Sequence, residues 1–203
     1  TAQAGASLKR VSLAAQEAGL SGLEFAAGIP GTLGGGTAMN AGAYGGQLSD
    51  VLLSADVLLD GEVRTLSLEE MQMGYRTTLP LSLNCPVLSV RFRLTRGDPA
   101  AILDRMNCLN LRRRERQPLN YPSAGSVFKR PEGHFAGALI EEAGLKGLTN
   151  GGAQVSEKHA GFIINLGGAT AKEVLELMEE VRSRVFARSG VMLEPEVRIV
   201  GED

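Results

Sequence analysis

Eight glycines fall within nineteen residues between Gly28 and Gly46, in the run GIPGTLGGGTAMNAGAYGG, and no other stretch constrains the fold as strongly. Glycine reaches φ > 0 without a Cβ clash, so such a run can turn tightly and let a ligand approach the backbone. Successive backbone N–H groups in tight turns also form anion-binding concavities. A flexible linker would be Gly/Ser- or Pro-rich and polar. Ile29, Leu33, Met39 and Tyr44 are the wrong company for one, so the run reads as a phosphate or cofactor cradle. It is not a common one. No Gly-Lys-Ser/Thr follows, and no G-x-G-x-x-G opens a helix after a strand, which sets aside a Walker loop and a Rossmann dinucleotide site.

With 203 residues, 43% of them hydrophobic, the chain can bury a core and hold one or two domains. A net charge of −2 leaves no electrostatic footprint for nucleic acid or an anionic membrane surface. No apolar stretch approaches a membrane span and no signal peptide is visible, so neither nucleic acid nor membrane is an expected partner. The basic cluster Arg112–Arg116, which includes Glu115, reads as a solvated helix end. Cys85 and Cys108 show neither CxxC nor metal spacing, and His134 and His159 are too few and scattered for a metal cluster. A reduced cytoplasmic protein without a metal, and a monomer, is the default expectation.

Leu8, Val11, Ala15 and Ala18 share one face of an opening helix, with Gly19 placed to stop it. Residues 51–59 and 63–68 read as strands joined by Asp60-Gly61, a hairpin signal. Ser67 and Glu70 make a capping-box pattern for a short helix ending near Gly74-Tyr75-Arg76. In the strand 87–94, Leu88, Val90, Phe92 and Leu94 should point inward and Ser89, Arg91 and Arg93 outward. Asp98 caps a helix with Pro99 at its first position, running to about Arg116 and halting at Gln117-Pro118. Beyond lie an apolar helix around Phe135–Ala143 closed by Gly144, and a buried strand within 160–166. Thr170 and Glu173 cap a long helix with the stripe Val174, Met178, Val181 and Val185, Glu180 and Arg184 paired outside, and Gly190 at its end. A last strand over 191–200 would set Val197 and Ile199 on one face, Glu196 and Arg198 on the other. Helices and strands alternate, so the class is α+β or mixed α/β.

Three polar residues stand out, none decisive alone. Ser126 sits in S-x-x-K, but the companion motifs of penicillin-recognising enzymes are missing, as is the second glycine of a G-x-S-x-G elbow. By itself it reads as a turn serine after Gly125. Glu196, after Pro195, shares a strand face with Arg198, which reads equally as a structural ion pair. Arg76 would be an ordinary surface arginine.

The glycine run, GYR at 74–76, SAGSVFKRP at 123–131, SEKHAGFIIN at 156–165 and LEPEVRIVGE at 193–202 nevertheless occur in that order. With these five motifs the chain, from about residue 1 to 203, closely resembles the UDP-N-acetylenolpyruvoylglucosamine reductases, or UDP-N-acetylmuramate dehydrogenases. The resemblance implies an α+β protein: part of a vanillyl-alcohol-oxidase-like FAD-binding domain over 1–117, then a small α/β substrate-binding domain over 118–193. A final strand and tail over 194–203 would carry Glu196 back towards the FAD domain. It implies catalytic roles for Arg76, Ser126 and Glu196. FAD contacts would fall on Gly28, Ile29, Pro30, Gly31, Gly34, Gly35, Asn40, Ala41, Gly42, Ala43, Tyr44 and Arg198. Contacts to the nucleotide-sugar would fall on Tyr121, Lys129, Arg130, Lys146 and His159.

The activity so implied uses FAD and NADPH to reduce the enolpyruvyl ether of UDP-N-acetylglucosamine in peptidoglycan precursor synthesis. Hydride delivery to the β-carbon leaves negative charge on the α-carbon and carboxylate. Arg76 can stabilise that charge with a fork of donors, Glu196 can help as a hydrogen-bond donor, and Ser126 can protonate the α-carbon. Either Lys129 or a bound water would ease the loss of the serine proton. Family members open with a strand-rich segment bearing a second glycine-rich loop, expected to be absent ahead of Thr1. That keeps open a nucleotide-sugar-binding fragment without redox activity. The short connection from Tyr75 to Val87 resembles the subgroup lacking a long substrate-covering loop.

Overall fold

The computed structural model describes residues 1–201, which form two compact units dividing between Arg113 and Arg114. The sequence punctuation at Gln117-Pro118 falls a few residues later, where the helix through the division ends.

The first unit contains, in chain order, β1 (Ala2–Gln3), α1 (Leu8–Glu17), β2 (Leu20–Ser21), α2 (Leu33–Ala38), β3 (Gly42–Ala43), β4 (Gly46–Gln47), β5 (Leu52–Leu59), β6 (Glu62–Ser67), α3 (Leu79–Ser82), β7 (Val87–Phe92) and β8 (Thr95–Arg96). Helix α4 (Pro99–Arg116) begins in this unit, with the Asp98 carboxylate accepting from the N–H groups of Ala100 and Ala101. The main sheet is antiparallel, in the order β1-β7-β5-β6. Asp60 and Gly61, at φ +52° and +80°, make the two-residue turn between β5 and β6 that their identities demand. Leu8, Leu33, Leu48, Met71 and Val90 are the centre of the core.

Several expectations need correction here. Helix α1 buries Ser12 rather than Ala18, and the Ser12 hydroxyl satisfies itself on the Leu8 carbonyl at 2.9 Å. Ser89 keeps to the outward face with Arg91, as expected, but is buried there beside the Asp56 carboxylate, which accepts from Ser89 at 2.7 Å, Thr65 at 2.6 Å and both terminal nitrogens of Arg91. Those hydrogen bonds, Arg91's foremost, hold the Asp56 carboxyl far below the usual carboxylate range. The Ser67–Glu70 box forms both of its bonds but closes a turn, since Gln72 enters the left-handed region at φ +46° and stops propagation. The helix comes later, at α3, capped by Thr78.

The second unit contains β9 (Ser123–Ser126), α5 (Ala136–Glu142), β10 (Thr149–Asn150), β11 (Ala153–Val155), β12 (Phe162–Asn165) and α6 (Ala171–Ser189). Its sheet, order β10-β11-β12-β9, is antiparallel throughout. Thr170 and Glu173 exchange the expected capping-box bonds, and Gly190 ends α6 at φ +72°. Leu177, Met178, Val181 and Val185 form its buried stripe against Phe128, Ile140, Val155 and Leu193. The expected strand over 191–200 does not form. Only Pro195 is bridged, to Phe128, and Ile199 is 74% exposed. Residues 194–201 lie in the second unit, with Val197 packed on its core. Glu202 and Asp203 lie outside the described residues. No helix among the described residues is long and apolar enough to cross a membrane.

Candidate active site

In the first unit the glycine-rich run is more regular than a cradle of turns. Thr32 accepts from the Gly35 N–H and caps α2, so Leu33–Ala38 is helical despite three consecutive glycines. The absence of side chains is what lets it pack. A Cβ on Gly34 would meet the Ala4 methyl at 2.8 Å, and one on Gly36 would meet Leu8 at 2.9 Å. The run then turns through Tyr44 and Gly45, at φ +54° and +84°, into the β3–β4 hairpin.

Gly28 lies against Asn110 and Arg113, with Ile29 half-buried on the core and Pro30 exposed. Gly31, Gly35 and Gly45 are the bare points of the run: Gly31 and Gly45 have nothing within 4 Å of a Cβ position, and Gly35 has only its own cap hydroxyl at 3.4 Å. Ala41, Gly42, Ala43 and Tyr44 are half-buried. The Tyr44 ring carries the guanidinium groups of Arg112 and Arg113 at 5.4 and 5.6 Å, so the basic cluster is not purely a solvated helix end. Burial pushes the Arg113 guanidinium below its ordinary range, with Tyr44 pulling the other way. Bare backbone, an aromatic face and two cations suit a dinucleotide with a planar ring and a pyrophosphate, so these residues fit FAD. The Asn40 side chain, 2% exposed, turns inward instead. It accepts from the Ser49 N–H at 3.0 Å and donates to the Gly74 carbonyl at 3.0 Å.

Arg76 sits in a tight turn closed by the Gly74 N–H on the Thr77 carbonyl at 2.9 Å. Its own φ of +57° is left-handed, and its guanidinium lies 5.0 Å from the exposed Tyr75 ring.

In the second unit, Ser126 ends β9 opposite Phe162 and is exposed. Glu196 reaches the same neighbourhood through its backbone, whose N–H donates to the Val127 carbonyl at 2.7 Å, while the Lys129 N–H donates to the Glu194 carbonyl at 2.8 Å. These bonds bring together residues 69 and 65 positions apart in sequence. The Lys129 ammonium pairs with the Glu194 carboxylate, and Lys146 pairs with Glu141 at 2.6 Å. Arg130 stacks 3.9 Å above the Phe135 ring, Tyr121 is exposed, and Arg198 is exposed on the tail.

His159 is half-buried. Its Nδ1 accepts the Gly161 N–H at 3.1 Å and its ring meets Phe162 edge-on at 4.9 Å. Burial, chiefly, lowers its pKa, with Lys146 adding to the effect and Glu141 opposing it. The accepting Nδ1 fixes a neutral ring, with the proton on Nε2. Because Gly161 also offers its carbonyl to the Val127 N–H at 2.9 Å, His159 braces the strand end that carries Ser126.

Sequence reasoning missed Thr78, whose hydroxyl donates to the Ala38 carbonyl at 2.8 Å and ties the arginine turn to the glycine-rich run. Its only sequence signal was a threonine two residues before Pro80, a helix-start pattern.

An FAD binding domain family model matches residues 1–67, and the C-terminal domain model of UDP-N-acetylenolpyruvoylglucosamine reductase matches residues 117–200. The UDP-N-acetylenolpyruvoylglucosamine reductase of Pediococcus pentosaceus is 54% identical over 203 residues, covering 100% of this chain and 68% of that protein. That of Levilactobacillus brevis is 54% identical over 204 residues, covering 100% and 67%. The crystal structure of the Thermus caldophilus reductase superposes with a TM-score of 0.84 at 42% identity, covering 95% of this chain and 70% of that one.

Proposed function

This chain belongs to the UDP-N-acetylenolpyruvoylglucosamine reductase family, and from that premise we propose that it reduces the enolpyruvyl ether of UDP-N-acetylglucosamine to UDP-N-acetylmuramate in peptidoglycan precursor synthesis. The observation that carries the reading is the backbone clamp that sets Glu196 beside the Ser126 strand: Glu196 N–H to Val127 O and Lys129 N–H to Glu194 O. A hydroxyl general acid and a carboxyl held on adjoining backbone suit a reaction that must deliver a proton where charge has developed.

When bound, FAD reduced by NADPH supplies the hydride for the substrate's β-carbon. Gly31, Gly35, Tyr44 and Gly45 would hold it, with Arg112 and Arg113 supplying positive charge. Arg76 binds the enolpyruvyl carboxylate and stabilises the charge that accumulates there, as a planar fork of fixed donors does best. Glu196 offers a hydrogen bond where charge develops in the reaction. Ser126 gives its Oγ proton to the α-carbon. The Lys129 ammonium is engaged by Glu194, so a water molecule is the better relay for restoring the serine proton. Tyr121, Arg130 and Lys146 serve the nucleotide-sugar. On this reading the reaction belongs to the cytoplasm.

The test is direct. Protein with bound FAD, supplied with NADPH and the enolpyruvyl nucleotide-sugar, should yield a product two hydrogens heavier by mass spectrometry, with matching NADPH loss. NADPH consumption without that product would contradict the reading.

A further inference from the structure

The turn that carries Arg76 is gripped at both ends by the glycine-rich segment. At its entrance the Asn40 side-chain amide donates to the Gly74 carbonyl at 3.0 Å, and at its exit the Thr78 hydroxyl donates to the Ala38 carbonyl at 2.8 Å. Both gripping side chains are 2% exposed, so the donor end of each bond is shielded from water. Each residue is itself pinned from a second side. Asn40, at φ +43°, accepts from the Ser49 N–H, and Thr78 accepts from the Leu81 N–H at 3.2 Å and so caps α3. Between the two grips Arg76 holds a left-handed backbone at φ +57°, a conformation that a non-glycine residue keeps only when its surroundings enforce it.

We infer that Asn40 and Thr78 are positioning residues that lock the Arg76 turn to the glycine-rich segment, so that the arginine's donor fork is set at a fixed place relative to the bound flavin. This rests on the role proposed above for Arg76. A flexible arginine would have to be ordered at every turnover, whereas a clamped one presents its charge already oriented, and misplacement by about 1 Å can cost on the order of 10²-fold in rate.

Thr78→Val keeps the shape and loses both hydrogen bonds; Thr78→Ser keeps both. Asn40→Asp keeps the acceptor for Ser49 and tolerates φ > 0, but replaces the donor to Gly74 with a repelling oxygen. In the FAD-loaded enzyme, flavin reduction by NADPH and flavin reoxidation by the enolpyruvyl substrate are followed separately. Thr78→Val should slow reoxidation by roughly 10- to 100-fold while flavin reduction stays within about twofold, and Thr78→Ser should restore the wild-type rate. Asn40→Asp should slow reoxidation similarly, and in an Arg76→Lys background should lose most of its further effect. Wild-type reoxidation in both Asn40→Asp and Thr78→Val, beside a disabled Arg76→Ala, overturns the inference alone. Equal slowing of both half-reactions by Thr78→Val also overturns it. A fully active Arg76→Ala overturns the reading of Arg76 beneath it.

Discussion

Helices α2 and α6 are stabilised in opposite ways. Helix α6 has nineteen residues, a reciprocal capping box, a left-handed glycine terminator and a stripe of four buried side chains. Helix α2 has six residues, half of them glycine, and holds its place because nothing projects from it where Ala4 and Leu8 press in. In one, side chains make the contact; in the other, their absence does. Sequence periodicity reads the first kind of helix and is blind to the second.

The difference can be broken by substitution, and the largest effect should come from α6. Leu177 is fully buried, so Leu177→Ala should destabilise the second unit by about 2–5 kcal/mol through lost burial and a residual cavity. Urea unfolding followed by a probe in that unit measures it. A loss below 1 kcal/mol would mean that the stripe is loosely packed.

In α2 the expected sign is the informative part. Alanine is intrinsically the better helix former by about 1 kcal/mol, yet Gly34→Ala should destabilise by roughly 1–3 kcal/mol because its methyl has no room beside Ala4. Gly35, one residue on and exposed, meets only the Thr32 hydroxyl, so Gly35→Ala should be neutral or slightly stabilising. The same sign for both substitutions would show that close packing is not what the glycines are for.

The smallest effect is a pH dependence confined to the second unit. Burial holds the folded-state pKa of His159 below its unfolded value of about 6.5. The unfolded chain therefore takes up a proton first as pH falls. The stability that His159 contributes is complete above about pH 6.5 and is lost as pH drops towards the lower folded value. Thermal melts between pH 7.5 and 5 should show this slope, and His159→Gln should flatten it. An unchanged slope in that variant would assign it to another group.

The legible parts of the fold share one property: their signals are local. The Asp60-Gly61 turn, the Asp98 cap, the Thr170–Glu173 box and the Gly190 stop each lie within a few residues of what they control, and each forms as read. The failures are non-local. Ser67–Glu70 makes its bonds without a helix because Gln72 turns away, and Ser89 is buried on its polar face because it donates to Asp56, thirty-three residues distant. The tail makes a single bridge, at Pro195, and pairs no further, so the alternation of its side chains does not become a strand. The site residues came from motif resemblance, not from periodicity. Neither the Val127–Glu196 clamp nor the Asn40–Gly74 bond leaves a mark in local sequence, since each joins segments far apart in the chain.

The central claim is a division of labour: the glycine-rich unit holds the flavin, and Ser126 in the second unit supplies only the proton. Stopped-flow spectroscopy of Ser126→Ala separates the two. Flavin bleaching by NADPH should proceed at the wild-type rate, while reoxidation by the enolpyruvyl substrate should slow by about 10²–10⁴-fold, the contribution of a positioned general acid. Equal slowing of bleaching and reoxidation, or wild-type reoxidation, would contradict it.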